Sequence, residues 1–181
     1  MASALVDEQD FRELMAGVCA PVTVVTATQG GTPYGATVSA FASLSLRPPM
    51  VSLALDRASG LLARVLATER FGVNVLGADQ HETARTFARR TPDRFRALSW
   101  RYDHGLPRLT DAPGWLVCEL TSVAEGGDHL LLLGTAVHAD TSAAAAPLVY
   151  GHRTFGTHSA FASHPTPERP LAAGPITTPT P

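Results

Sequence analysis

Four hydroxyl side chains, Thr37, Ser39, Ser43 and Ser45, recur at alternate positions of one short stretch. On a strand, residues 37 and 39 share a face, and so do 43 and 45. Paired hydroxyls with adjacent main-chain N–H groups would then present a row of donors to an anion. The same spacing also suits small polar residues on the wet face of a strand. Pro48-Pro49 follows directly and, lacking main-chain donors, fixes a rigid turn beside the row. A second group is Arg89-Arg90-Thr91-Pro92-Asp93-Arg94-Phe95. A guanidinium fork can clamp phosphate in two-point fashion. Arg89 and Arg90 fit solvated cations at a helix C-terminus, where the dipole favours them, whereas Arg94 stands beyond the helix and beside an aromatic, as a binding side chain would. The third group is Gly127-Asp128-His129, which turns the chain tightly and sets a titratable ring beside a carboxylate at the head of an apolar strand.

Several chemistries are excluded by what is missing. All 14 basic side chains are Arg, so Schiff-base catalysis and lysine-dependent phosphate loops have no amine to work with. Neither a G-x-G-x-x-G nor a G-x-x-x-x-G-K motif occurs, so any nucleotide must be held by other means. Cys19 and Cys118 are too few and too far apart for a disulfide framework or a zinc knuckle. The histidines at 81, 104, 138, 152, 158 and 164 show no metal-ligand spacing, and no metal is expected. A net charge of −2 provides no basic field for nucleic acid. No apolar run nears the ~20 residues of a membrane span, and the acidic first ten residues do not read as a signal peptide, so a cytoplasmic location is expected.

Elements able to position these groups follow from periodicity. Phe11, Leu14 and Met15 predict a helix over 7–16. The β-branched run 22–28 and the segment 34–41 predict a hairpin across Gln29-Gly30-Gly31-Thr32-Pro33, with 42–46 as a small-residue connection and 50–56 as a third strand. Ser59 is placed to cap a helix through Ala67 that buries Leu61, Leu62, Val65 and Leu66. A strand at 71–76 leads to a helix with Asp79 and Glu82 as its capping pair and Ala84, Phe87 and Ala88 as its buried stripe. The clearest hairpin joins 115–124 to 129–139, and 148–150 with 153–155 adds a short closing strand. Strands outnumber helices and connect by short turns, which favours an antiparallel barrel with peripheral helices over a doubly wound sheet. One domain over 1–158 is expected. Six Pro among residues 159–181 predict a disordered tail.

Taken together, the Phe11–Met15 and Val22–Thr26 segments, Gly35-Ala36-Thr37-Val38-Ser39-Ala40-Phe41, Ser43-Leu44-Ser45, Pro48-Pro49, Phe71–Leu76, Asp93-Arg94-Phe95 and Gly127-Asp128-His129 resemble the flavin reductase component of two-component monooxygenases. The likeness spans residues 10 to 156. It implies an antiparallel split β-barrel of the FMN-binding type with flanking α-helices, and a homodimer with flavin near the dimer interface. It also implies NADH or NADPH as reductant, FMN or FAD as acceptor, and a partner monooxygenase that receives the reduced flavin. By this resemblance Thr37, Val38 and Ser39 line the isoalloxazine, and Ser43, Leu44 and Ser45 lie near its edge and the ribityl chain. Ser59, Phe87 and Arg94 make phosphate-side, ribityl or adenosine-side contacts, and His129 lies by nicotinamide and flavin as the catalytic residue. Cys19-Ala20-Pro21-Val22 departs from the family pattern, as does Gly151-His152, which leaves Tyr150, His152 and Phe155 open as contacts. Two rival readings remain on this fold: a flavoprotein that retains FMN and acts on an organic substrate, and a noncatalytic flavin-binding module.

Overall fold

The computed structural model describes residues 5–89, 91, 93–96, 98–141 and 145–162. Helix α1 (Glu8–Ala16) starts at Asp7, whose carboxylate accepts from the main-chain N–H of Gln9 at 2.8 Å. It buries none of its residues, and Phe11, Leu14 and Met15 all face outward. A short β1 (Ala20–Pro21) precedes β2 (Thr23–Gln29) and β3 (Thr32–Val38), which form the expected hairpin. The expected connection at 42–46 is itself a strand, β4 (Phe41–Leu46), bulged at Leu44 against β5 (Pro49–Asp56).

Next come α2 (Gly60–Thr68), β6 (Arg70–Val75) and α3 (His81–Ala88). Two corrections fall here. Ser59 occupies the N-cap of α2 but its hydroxyl makes no capping bond, and Leu66 of that helix is exposed. Asp79 stands one residue too early to cap α3: Gln80 takes the N-cap position, while its side-chain oxygen accepts from the N–H of Gly77 at 2.9 Å. Ala88, in the last turn, is exposed instead of buried.

A hairpin that periodicity did not reveal follows, β7 (Trp100–Asp103) and β8 (Leu106–Leu109). The long ribbon β9 (Gly114–Gly126) and β10 (His129–Thr141) turns through Gly127, whose φ of +70° lies in the left-handed region that favours glycine. Strands β11 (Val149–Gly151) and β12 (Thr154–Gly156) pair with β1 as a separate three-stranded sheet, and α4 (Ser159–Ala162) is one turn of helix. The expected tail therefore begins with helical backbone, and its remainder from 163 lies outside the described residues.

The main sheet has the order β3-β2-β6-β9-β10-β5-β4, every pair antiparallel. Its two edge strands, β3 and β4, are consecutive in the chain and separated only by Ser39 and Ala40. Three virtual bonds cannot carry Cα38 more than about 11 Å from Cα41, so the sheet must roll until its edges nearly meet at that end. Ala40 carries the β4–β5 ladder one residue past Phe41 by accepting from the N–H of Ala54 at 3.0 Å.

Inside the roll, Val25, Leu53, Leu55, Phe71, Val73 and Leu132 pack with Leu61, Leu62 and Val65 of α2, which plugs the barrel. Strand β2 is buried on both faces from Thr23 to Ala27, because Val25 and Ala27 face the barrel core while Val24, with Val22 before the strand, joins Leu76, Ala84, Phe87 and Leu148 in a second cluster beneath α3. Among the described residues no helix is long and apolar enough to cross a membrane.

Candidate functional site

Where the rolled sheet fails to close, a cavity of about 1180 Å³ opens along β3. Its walls are β3 and Ser39-Ala40, the end of β5, the first turn of α2, the end of α3, the loop from Thr91 to Arg96, Trp100, and His129 at the head of β10. Thr37, Val38, Ser39, Ser59, Phe87, Arg94 and His129 thus converge from five separate parts of the chain.

As an edge strand, β3 has main-chain groups with no strand beside them. The Gly35 carbonyl points away from β2, since it accepts from a terminal nitrogen of Arg94 at 2.5 Å. Antiparallel alternation then turns the main-chain groups of Thr37 the same way, toward the cavity. Gly35 is required here by space: an added Cβ would lie 2.8 Å from the Phe87 ring. Phe87 stands edge-on to Phe95 with centroids 4.9 Å apart, so the strand backbone rests directly on an aromatic floor.

The hydroxyls behave differently from one another. Thr37 donates to the main-chain oxygen of Ala84 at 2.6 Å, so its hydroxyl ties β3 to α3 instead of facing a ligand. Ser39 and Ser59 side chains make no hydrogen bond among the described residues and remain available. Ser43, Leu44 and Ser45 do not line the cavity. They belong to β4, where Ser45 accepts from the N–H of Arg47 at 3.2 Å and Leu44 sits exposed at the bulge. The hydroxyl row is therefore split: its first half reaches the opening, and the two-residue link carries its second half to the opposite edge.

Arg94 is half-buried, and burial draws its pKa below the ordinary guanidinium value. Its Nε is enclosed with no hydrogen-bond partner among the described residues. Guanidinium stays protonated in proteins, so the site keeps a cation that its own chain only partly satisfies. Of the other Arg-loop residues, Arg90 and Pro92 lie outside the described residues.

His129 Nδ1 lies 2.7 Å from a carboxylate oxygen of Asp128, and that hydrogen bond holds the fully exposed Asp128 below the usual carboxylate range. An ionised carboxylate only accepts, so Nδ1 carries the proton and Nε2 is the free nitrogen of the ring. The turn is braced from below by Arg57, whose Nε donates to the Gly127 oxygen at 2.9 Å and whose guanidinium pairs with Glu125. Tyr150, His152 and Phe155 stand apart from the cavity, on or beside the small sheet.

Tyr34, Arg64 and Trp100 also line the opening and were not singled out from sequence. Tyr34 shares a strand face with Ala36, a signal available from alternation alone. Arg64 is four residues beyond Gly60, whose carbonyl it bonds at 3.0 Å. Trp100 belongs to the hairpin that periodicity missed.

A planar three-ring system suits this site. The Gly35 N–H and the main-chain groups of Thr37 can meet the polar edge of a flavin, the aromatic floor excludes water, and the partly satisfied Arg94 with the Ser59 hydroxyl offers donors for an anionic tail.

Comparison with known proteins agrees with that chemistry. Residues 15–159 match the family model of the flavin reductase like domain. The chain is 36% identical over 150 residues to the reductase component of 4-nitrophenol 4-monooxygenase/4-nitrocatechol 2-monooxygenase of Rhodococcus opacus, covering 83% of this chain and 80% of that one. It is 37% identical to NADH:riboflavin 5'-phosphate oxidoreductase of Streptomyces pristinaespiralis, covering 95% and 96%. The solved structure of NADH:FAD oxidoreductase from Streptomyces globisporus C-1027, in complex with NAD and FAD fragments, superposes with a TM-score of 0.81 at 31% identity, covering 87% and 98%. By sequence over most of its length and by fold, the chain belongs to the flavin reductase-like domain family and is a flavin-reducing oxidoreductase.

Proposed function

We propose that this chain takes a hydride from NADH, or NADPH, to FMN or FAD held along the open edge of β3, and that the reduced flavin passes by diffusion to a monooxygenase. When bound, the flavin supplies the hydride acceptor, so the protein needs no nucleophile and its task is alignment.

Each residue has a definable part in this reading. The Gly35 N–H and the outward main-chain groups of Thr37 meet the polar rim of the ring system, and the Ser39 hydroxyl can donate where negative charge grows during reduction. Phe87, backed by Phe95, excludes water from one side. Arg94 and Ser59 hold the anionic tail. The lone pair of His129 Nε2 accepts from a nicotinamide carboxamide N–H, and Asp128 keeps the ring in the tautomer that makes this possible. The role assigned to Ser43, Leu44 and Ser45 at the ring edge is not carried forward, because β4 points them elsewhere.

The observation that carries the proposal is the uncovered edge of β3 lying over an aromatic floor with a half-satisfied guanidinium at its side. Anaerobic stopped-flow mixing of the protein with each flavin and each nicotinamide tests it. Bleaching of the flavin's visible absorbance at a rate that saturates with nicotinamide is expected, and an unbleached flavin would refute it. Loss of flavin on gel filtration is expected for a diffusing product, and retention would favour the tightly bound flavoprotein instead.

A homodimer working in the cytoplasm is part of the same proposal. Its support is the unburied apolar face of α1, with Phe11 54% and Leu14 72% exposed, together with Leu46 at 82% on edge strand β4. Light scattering at micromolar concentration checks it, and a monomer mass would remove it.

A further inference from the structure

The cavity is larger than the tricyclic ring and ribityl phosphate alone require, since about 1180 Å³ exceeds the roughly 300–1,000 Å³ typical of pockets for drug-sized ligands. One stretch of its wall is formed by the start of β3 and the first turns of α2. Two side chains there are arranged in an unusual way. The Arg64 guanidinium carbon sits 4.5 Å above the centroid of the Tyr34 ring, and a terminal nitrogen is steadied on the Gly60 carbonyl at 3.0 Å. Arg64 Nε is enclosed without a partner, and the Tyr34 hydroxyl makes no hydrogen bond among the described residues. Resting on the aromatic face, the guanidinium becomes a flat, preset surface whose position costs little further ordering.

We propose that Tyr34 and Arg64 form a stacking platform for the adenine of a dinucleotide, and that this platform sets the preference of the enzyme between mononucleotide and dinucleotide ligands. The inference rests on the flavin-reductase reading and deepens it. Three features point to adenine over a bare anion. Flat stacked surfaces attract a π-faced base. Arg64 has already committed a terminal N–H to Gly60, so it is a weak phosphate fork. In a flavin dinucleotide the anionic tail assigned above to Ser59 and Arg94, both on the cavity wall, is the pair of phosphates that leads on to the adenosine. Adenine is common to FAD and to the nicotinamide dinucleotides, and the test separates the two sources.

The experiment uses the full chain and its variants Tyr34→Ala, Tyr34→Phe and Arg64→Met, each checked for an unchanged thermal transition. Initial rates of NADH oxidation are measured with FMN varied, with FAD varied, and with NADH varied at saturating FMN. If FAD is the source, Tyr34→Ala raises the KM for FAD about tenfold and the ratio of KM for FAD to KM for FMN at least fivefold. Arg64→Met moves the ratio the same way, and Tyr34→Phe, which keeps the ring, leaves it within twofold of the parent. If the nicotinamide dinucleotide is the source, the KM for NADH rises by the same factor while the flavin ratio holds. Equal increases for FMN and FAD without a change for NADH, or no change in any of the three constants, overturn the proposal. A parent enzyme that oxidises NADH with neither flavin refutes the flavin-reductase reading itself, a result distinct from either.

Discussion

Arg94 and Gly35, 59 positions apart in the chain, are joined by one hydrogen bond of 2.5 Å from guanidinium to main-chain oxygen, which fixes the Arg-bearing loop against the open strand. The bond uses one donor of five and leaves the enclosed Nε unmatched. Arg94→Met should therefore raise the Kd for FMN by about tenfold, the scale of one charge-assisted hydrogen bond. Arg94→Lys should restore only part of it, because a single ammonium cannot hold the Gly35 oxygen and reach a ligand together. Fluorescence titration of the flavin checks both. Unaltered binding in Arg94→Met would reduce the side chain to a strut for the loop.

Replacing His129 by Ala should slow hydride transfer at least tenfold while the Kd for flavin shifts less than threefold. Asp128→Asn should give a smaller loss, since it removes the acceptor that fixes the tautomer but leaves the ring in place. Single-turnover rates set against equilibrium titrations separate the two effects. Parent-like reduction rates in His129→Ala would strip the residue of its assigned part.

The two thiols should differ sharply in reactivity. Cys118 is enclosed beside Phe71 and Gly134, and burial pushes its pKa up to about 12, whereas Cys19 is exposed. Thiolate is the reactive form, so a thiol reagent at pH 8 should modify one cysteine in the folded protein and both in guanidinium. Two fast equivalents in the native state would contradict the packing around Cys118.

Acid sensitivity should trace partly to Asp103. Hydrogen bonding to Arg108 at 2.8 Å holds that carboxyl below the usual range, and Arg108 also bonds Asp140 at 2.6 Å, linking β7 and β8 to β10. A depressed carboxylate pKa adds stability that is complete above the unfolded value of about 3.9 and is lost as pH falls through the folded value. Arg108→Met should cost about 1–2 kcal/mol at pH 7, and the deficit should narrow as the pH is lowered from 5 toward 2.5. Urea melts across that range check the sign. A deficit that stayed constant with pH would assign the effect to lost packing over Trp115 instead.

Much of the fold was legible because the strands that form it carry their burial in their own pattern. The β-branched run at 22–28 marked β2 as a strand, and the alternation in β5 sends Val51, Leu53 and Leu55 inward. The hairpin of β7 and β8 was not legible. Its strands are four residues each, carry Arg and Pro, and are held by remote polar partners: Asn74 accepts from the Leu109 N–H at 2.8 Å, and Thr26 donates to the Pro107 oxygen at 2.8 Å. Nothing in the local spacing announces such bonds.

The cavity was legible in part for a related reason. Thr37, Ser39, Ser59, Phe87, Arg94 and His129 were found through residue type and family resemblance. Ser43 and Ser45 share the spacing of Thr37 and Ser39, and only the register of β4 against β5 shows that they go elsewhere. The Tyr34–Arg64 stack depends on helix α2 crossing β3, which no stretch of sequence encodes by itself.

One consequence of the unzipped roll concerns solubility. The β3 edge leaves main-chain groups with no strand beside them, and such a flank can recruit a neighbouring chain. A nucleotide held along that flank would shield its amides, so solubility would depend on occupancy of the cavity as well as on surface charge.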